Sequence, residues 1–338
     1  MMNCFRRDHA SVIPASHKMT SNVVKTLFRF AGIWLLWVAG GIHLSASEGG
    51  LTVTQTLVDY QADQIVVDNP VPGFSWKLAS PQRATRQTSF SIAVGLNASS
   101  SGDIGAVVWR TGRIKSPQSS QIAYAGAPLK SDTDYHWNLT VSDNHGQSAS
   151  RVGAFSTALL KPSDWTAQWI GKLSPHPDND QWSGRTVDWE ALAKQPTNPV
   201  DSAGILLRKE FVLQKEPLRA RIFVTGLGNY ELRLNGGKVG DAVLTPGPTA
   251  YRQRILYDAY EVASQLHPGT NAIGIMLGSG WFNPQKKFWG WQMQWYGEPR
   301  AILQLQLEYR DGTKEVVQSD ASWKTHDGPI TFNCIYDG

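Results

Sequence analysis

The feature that most constrains the fold is a recurring short alternation of apolar and polar residues, with no helical period of useful length after residue 50. Turn signals such as Asn235-Gly236 and Asp311-Gly312 separate the alternating runs. Many short strands at regular spacing are typical of antiparallel sandwiches. The sequence therefore predicts an all-β chain, with strands that include Ser89–Val94, Tyr135–Val141, Arg221–Val224, Tyr230–Leu234 and Ile302–Tyr309.

The first block of strands, residues 51–157, predicts a fibronectin type III-like sandwich. Near its end, the alternation places Tyr135, Trp137, Leu139 and Val141 on one face of a strand. Tyr135 follows a short polar corner, so its hydroxyl can return to the upstream backbone, as in the tyrosine corner of immunoglobulin-like domains. A ligand contact by Tyr135 is the alternative, and the pattern favours the structural role.

A segment of different composition separates this block from the second one. Residues 158–203 are predicted to be a connecting segment and a polar insert, since residues 172–203 are proline-rich and show no period. The second sandwich, predicted to be jelly-roll-like, occupies residues 204–338. Asp178-Asn179-Asp180 in the insert could supply part of a Ca²⁺ shell, but no Gly-anchored ligand loop surrounds them, which favours a solvated linker.

Charge and cysteine content exclude several classes of protein. The formal net charge of +4 comes entirely from residues 1–47, and the rest of the chain carries 27 basic and 27 acidic side chains. That balance removes the main support for a nucleic-acid partner, because such binding depends on phosphate neutralisation. Only 2 Cys are present, which excludes a disulfide scaffold and a Cys-based zinc site.

Residues 1–47 predict a signal peptide. A basic start precedes an apolar run of 13 residues, which is short for a membrane span of about 20. An uncleaved anchor is the alternative. We expect an exported chain, periplasmic or extracellular, with no stable membrane span after cleavage near Glu48; the elements of the leader are Lys25, Arg29, Phe30–Ile42 and Ser45-Ala46-Ser47.

Local catalytic signatures are missing from the sequence. It contains no Gly-x-Ser-x-Gly elbow, no His-Glu-x-x-His helix, no phosphate-binding Gly-Lys-Ser/Thr loop and no dinucleotide fingerprint. A glycosidase needs two carboxylates that converge across a cleft, and strand spacing alone cannot identify such a pair. No catalytic residue and no metal ligand are therefore assigned.

One aromatic run stands out from the rest of the chain. Seven of the sixteen residues 281–296 are aromatic, and Asn, Gln and Lys lie between them. Flat aromatic rings beside amide and cationic donors suit the apolar faces and hydroxyls of a sugar. Packing in the mouth of the sandwich is the alternative, and it is the commoner role of large aromatics. The candidate carbohydrate-binding residues are Trp281, Phe282, Asn283, Trp289, Trp291 and Trp295.

Ordered motifs along residues 51–338 resemble the N-terminal region of bacterial α-L-rhamnosidases. Each motif is loose by itself, and their number and order make the resemblance specific. In the first block and the connecting segment they include Pro72–Lys77, Gln87–Val94, Trp109–Arg113, Tyr124–Leu129, Tyr135–Trp137 and Asp164–Gly171. In the second block they include Leu207–Phe211, Gly228–Gly236, Leu266–Ala272, Gly280-Trp281, Ser319–Lys324 and Ile335–Gly338.

The resemblance implies a fibronectin type III-like domain followed by a carbohydrate-module-like sandwich, and a rhamnose-containing oligosaccharide or glycoside as the partner. It also implies a catalytic (α/α)6 barrel C-terminal to these sandwiches, absent from this chain, where carboxylates hydrolyse terminal α-L-rhamnosides with inversion. Some family members bind L-rhamnose with Ca²⁺ in the second sandwich; no cofactor is firmly expected here, and Ca²⁺ is the one candidate.

The expectation is therefore an N-terminal fragment of an α-L-rhamnosidase-like glycoside hydrolase, truncated within the motif Ile335–Gly338. Its own roles would be scaffolding and carbohydrate binding. The alternative is a free-standing secreted carbohydrate-binding or adhesion protein without catalysis.

Overall fold

The computed structural model describes residues 3–6, 50–62, 65–98, 104–172, 203–283 and 296–335. These residues form β-sheets, with two short 3₁₀ turns at Pro162–Asp164 and Ala263–Gln265. Both predicted sandwiches are present, and the prediction of an all-β fold is confirmed. In the part of the chain that is described, no helix is long and apolar enough to cross a membrane.

The first sandwich packs two sheets face to face. One sheet has the order β4-β11-β10-β6-β7, with β8 also paired to β6, and the other has the order β3-β2-β5-β9. Its pairs are antiparallel except β4 with β11. After the short strand β1 (Asn3–Arg6), these strands are β2 (Thr52–Val58), β3 (Gln61–Ala62), β4 (Ile65–Val67), β5 (Gly73–Ala79), β6 (Gln87–Ala98), β7 (Ile104–Arg110), β8 (Ile114–Lys115), β9 (Ile122–Ala123), β10 (Asp134–Asp143) and β11 (Ser148–Thr157).

The alternation predicted for β10 is what builds this core. Tyr135, Trp137, Leu139 and Val141 are all buried, while the residues between them face outward. The Tyr135 hydroxyl accepts a hydrogen bond of 2.9 Å from the backbone N–H of Lys130, so the predicted tyrosine corner is present. Burial raises the pKa of Tyr135, which keeps the hydroxyl protonated in this role.

The second sandwich also packs two sheets of mainly antiparallel strands. One has the order β1-β16-β13-β18-β19, in which β1 lies parallel to β16, and the other has the order β15-β14-β17-β12-β20. Its strands are β12 (Ile205–Leu213), β13 (Arg219–Leu227), β14 (Asn229–Leu234), β15 (Gly237–Lys238), β16 (Arg254–Glu261), β17 (Gly269–Gly278), β18 (Arg300–Glu308), β19 (Lys314–Gln318) and β20 (Lys324–Asp327).

The core of the second sandwich is mostly aliphatic, with Ile, Leu and Val side chains from both sheets. The β14–β15 hairpin turns at Asn235-Gly236, where both residues have positive φ, 51° and 85°. Those angles belong to the type I′ turn that an Asn-Gly pair favours between twisted strands. The sequence signal and the observed turn therefore agree.

Charged side chains join the two sandwiches at one surface. Arg219 and Arg221 on β13 face Asp132 and Asp134 of the first sandwich. Arg221 is 3% exposed, and its guanidinium lies 3.1 Å from Asp132 Oδ1 and 3.0 Å from Asp134 Oδ1. It also pairs with Glu261 on β16. We call these five residues the arginine clamp.

Burial alone would raise the pKa of Asp134, but three neighbouring side chains outweigh it. Ser156 donates a hydrogen bond to its carboxylate, and the positive charges of Arg219 and Arg221 favour the ionised form. The net result is a pKa below the ordinary value of 3.8. The clamp therefore holds Asp134 charged at the junction.

Candidate functional site

Loops gather at one end of the second sandwich, where β13 ends at Leu227, β17 ends at Gly278, and β16 and β18 begin at Arg254 and Arg300. Because β13 pairs antiparallel with both β16 and β18, the end of β13 and the starts of β16 and β18 lie at one end of their sheet. β17 belongs to the facing sheet, where its end at Gly278 pairs with Asn229 at the start of β14, directly after β13. We call this part of the molecule the loop end: residues 227–229, 244–255, 278–283 and 296–301. It contains the described part of the aromatic run.

An aromatic cluster fills the loop end. The ring centroid of Tyr251 lies 5.2 Å from that of Phe282 and 5.1 Å from that of Tyr296, both in edge-on geometry. Phe282 and Tyr296 stack, with centroids 5.7 Å apart. Leu227 and Ile255 are buried beneath these rings. Two partly buried tryptophans, Trp169 and Trp281, pack against the cluster.

The predicted carbohydrate-binding residues divide into two groups. Phe282 and Asn283 are each 1% exposed, so their side chains pack inside the loop end. Trp281 is partly exposed beside them. Sugar contact by these residues stays a prediction, and Trp281 is the residue of this group that keeps accessible surface; Trp289, Trp291 and Trp295 lie outside the described residues.

Burial sets the ionisation of the tyrosines in the cluster. Burial, together with the neighbouring Tyr296, raises the pKa of Tyr251 to about 12. Burial also raises the pKa of Tyr296, although the charge of Arg252 works against it. Both hydroxyls are therefore neutral near pH 7. A neutral phenol both donates and accepts hydrogen bonds.

A buried carboxylate supports one wall of the loop end. Asp258 accepts hydrogen bonds of 2.6 Å from the hydroxyls of Tyr230 and Thr245. Asn229 donates to the carbonyls of Leu244 and Pro246 at 2.8 and 3.2 Å. These bonds tie the loop before β16 to β14. Asp258 thus helps to hold this loop in place.

Close backbone approach fixes the neighbouring turn. Gly228 has φ of +123°, and a Cβ placed there would lie 2.1 Å from the carbonyl oxygen of Gly278. A side chain at this position would therefore force the turn between β13 and β14 away from the end of β17. This close contact explains why the first position of the Gly228–Gly236 motif is a glycine.

Metal ligands do not converge among the residues that the structure describes. No group of three or more His, Cys, Asp or Glu side chains there could hold a metal ion. The predicted partial Ca²⁺ ligands, Asp178, Asn179 and Asp180, lie outside the described residues. Cys334 is a buried free thiol.

Sequence reasoning missed two members of the cluster. Tyr251 lies in a loop about 30 residues before the aromatic run, and Trp169 comes from the connecting segment. The motif Asp164–Gly171, which contains two tryptophans, was the available signal for the latter. Nothing in the local pattern says that it folds against residues more than 80 positions away.

Comparison with known proteins matches both sandwiches in order. Residues 53–161 match the model of the Rha78A-like, N-terminal immunoglobulin domain, and residues 215–338 match the model of the alpha-L-rhamnosidase N-terminal domain. An alpha-L-rhamnosidase of Formosa agariphila is 32% identical over 302 residues, which cover 85% of this chain and 31% of the relative. The chain thus spans about a third of that relative's length.

Solved structures show the same relation. The alpha-L-rhamnosidase from Dictyoglumus thermophilum is 32% identical, with a TM-score of 0.68 over 85% of this chain and 31% of its own. The Streptomyces avermitilis alpha-L-rhamnosidase complexed with L-rhamnose is 24% identical, with a TM-score of 0.73 over 86% of this chain and 42% of its own, and shows likeness of fold alone.

Two domains in the same order, and rhamnosidase relatives that match 85% of the chain, identify its two sandwiches as the N-terminal region of the α-L-rhamnosidase family.

Proposed function

We propose that this chain serves as the N-terminal region of a longer α-L-rhamnosidase, which hydrolyses terminal α-L-rhamnosides. The observation that carries the proposal is the match of both sandwiches, in order, to domains of rhamnosidases that are about three times as long. Hydrolysis would then belong to the remainder of the longer protein. The two sandwiches would act as a scaffold that binds a rhamnose-containing glycoside.

The proposed carbohydrate site is the loop end. The partly exposed Trp281 offers an apolar platform, and it packs against the buried cluster that contains Tyr251 and Phe282. A sugar presents an apolar C–H face to such a ring, and neutral hydroxyl or amide groups around the ring can bond its hydroxyls. Ca²⁺ is a candidate co-ligand that the family resemblance suggests.

Export is the third part of the proposal. The basic and apolar pattern of residues 1–47 would direct the chain to the periplasm or outside the cell. Recovery of a mature N-terminus near Glu48, by N-terminal sequencing of exported protein, would agree with it. A cell-associated chain that still carries Lys25 and Arg29 would contradict it.

Two assays on the full chain test the first two parts. We expect no rhamnose release from an aryl α-L-rhamnoside above a no-protein control, whereas the longer protein should hydrolyse it. We also expect L-rhamnose to change tryptophan fluorescence. Turnover that survives repurification of the chain would overturn the assignment of hydrolysis elsewhere, and inactivity of the longer protein would overturn the proposed reaction.

A further inference from the structure

The connecting segment Asp164–Gly171 lies along the second sandwich as an additional strand-like edge. Ile170 and Ala301 exchange two backbone hydrogen bonds of 2.8 Å, and the N–H of Gln168 donates to the carbonyl of Ser319 at 2.8 Å. This segment falls between the two matched domains, which end at residue 161 and begin at residue 215. It is nevertheless built into the second one.

Two buried polar side chains of the second sandwich depend on this segment. Gln304 is fully buried; its Oε1 accepts from the backbone N–H of Thr166 at 2.8 Å, and its Nε2 donates to the carbonyl of Asp164 at 2.8 Å. Ser319 is also fully buried, and its Oγ donates to the carbonyl of Gln168 at 2.6 Å. Without the segment, these groups would lose buried hydrogen bonds, which is costly.

The two tryptophans of the segment pack against different parts of the molecule. Trp165 packs edge-on against Tyr257, with ring centroids 5.4 Å apart, and against Phe223 at 6.5 Å, on the outer face of the β16-β13-β18 sheet. Trp169 packs against the aromatic cluster of the loop end, four residues later. One tryptophan thus belongs to the junction and the other to the candidate site.

The segment is also held by the first sandwich. The Asp164 carboxylate accepts from the Ser131 hydroxyl and, at 2.9 Å, from the N–H of Lys161. Ser131 Oγ in turn accepts from the N–H of Leu160 at 3.0 Å. The start of the segment is therefore fixed relative to the first sandwich, and its end reaches the loop end of the second.

We propose that Trp169 is a positioning residue of the carbohydrate site, so that the site is composite and needs the connecting segment as well as the second sandwich. This inference rests on the proposed function. Trp169 buttresses the cluster that supports Trp281, and an ordered platform binds a sugar with less loss of freedom on binding. A domain drawn at residues 215–338 alone would lack this support.

The test compares Trp169→Ala with Trp165→Ala in the full chain. Both residues are tryptophans of the same segment, but they pack against different parts of the molecule. L-Rhamnose affinity is measured by calorimetric titration, and amide hydrogen exchange is followed in residues 278–283 and 296–301. We expect Trp169→Ala to weaken binding by about tenfold or more and to speed exchange at the loop end. Trp165→Ala should leave both near wild type, and Trp169→Phe should restore most of the affinity.

The outcomes separate this inference from the proposed function. Wild-type binding that Trp169→Ala leaves unchanged would overturn the inference and keep the function. Equal losses in Trp169→Ala and Trp165→Ala would also overturn it, since they would indicate general destabilisation. Absence of wild-type binding would overturn the function and, with it, Trp169 as a residue of a sugar site; the exchange data would then report only whether it orders the loop end.

Discussion

The two sandwiches use their aromatic residues in opposite ways. In the first, the core itself is aromatic, and Phe74, Trp137 and Phe155 pack ring against ring at its centre. In the second, the core between the sheets is mostly aliphatic, and aromatic clusters lie at its loop end and on its outer face against the connecting segment. Aromatic residues therefore form the core of the first sandwich, whereas in the second they cluster mainly outside the core.

This difference teaches how an aromatic-rich sequence should be interpreted. Aromatics that alternate along a strand, such as Tyr135 and Trp137, point into a core because the strand period places them there. Aromatics crowded into a loop have no such reason to be buried together. In residues 281–283 the structure gives both outcomes, with Phe282 buried and Trp281 partly exposed.

The largest expected loss of stability is at the aromatic core of the first sandwich. Trp137 is fully buried, so Trp137→Ala leaves a large cavity and should cost about 3–5 kcal/mol of unfolding free energy. Trp281→Ala should cost far less, because that ring is partly exposed. Chemical denaturation of both variants measures the contrast. Equal losses would mean that Trp281 is a core residue as well.

The next effect concerns the junction between the two sandwiches. Arg221→Gln removes the more buried of the two arginines that pair with Asp132 and Asp134, and Arg219 still pairs with both. It should cost about 2–4 kcal/mol, toward the low end because Arg219 remains and because Asp134 and Glu261 are half-exposed. The control is Arg208→Gln, whose ion pair with Glu210 is exposed. An equal fall in the unfolding temperature of both variants would contradict a structural role for the clamp.

A smaller loss is expected at the tyrosine corner. Tyr135→Phe keeps the ring but removes the acceptor for the Lys130 N–H, which should cost about 1–3 kcal/mol. Tyr60→Phe, at a well-exposed tyrosine of the same sandwich, is the matched control and should have no effect. An unchanged denaturation midpoint for Tyr135→Phe would show that the hydroxyl bond adds nothing to the stability of the first sandwich.

The smallest expected effect is the change of folding stability with pH that Asp134 causes. The pKa of Asp134 is lower in the folded chain than its ordinary value of 3.8, so its contribution is present above that value and is lost as pH falls through the lower folded pKa. Because the side chain is half-exposed, we expect well under ~1 kcal/mol. Asp134→Asn should lower stability at pH 6 and narrow its difference from wild type near pH 2. A difference that stays constant over this range would contradict the assignment.

Most of the fold could be predicted from the sequence because its signals are local. Strand alternation in β10, the Asn235-Gly236 turn and the return of the Tyr135 hydroxyl each involve residues a few positions apart. The contacts that were missed join distant parts of the chain. Arg221 meets Asp132 across 89 positions, and Gln304 reaches Thr166 across 138. No period or turn signal encodes such pairs, so neither the clamp nor the position of Trp169 could be derived.

The central claim is that the aromatics of the loop end include a sugar platform, whereas those of the first sandwich are core. Fluorescence titration of the full chain with L-rhamnose, with and without Ca²⁺, tests it most directly when wild type and Trp281→Ala are compared. We predict a dissociation constant of roughly 0.1–10 mM for wild type, since a monosaccharide offers a small apolar face. Trp281→Ala should lose that binding while its unfolding midpoint stays close to wild type. No signal in either metal state, together with destabilisation of Trp281→Ala as large as that of Trp137→Ala, would contradict the claim.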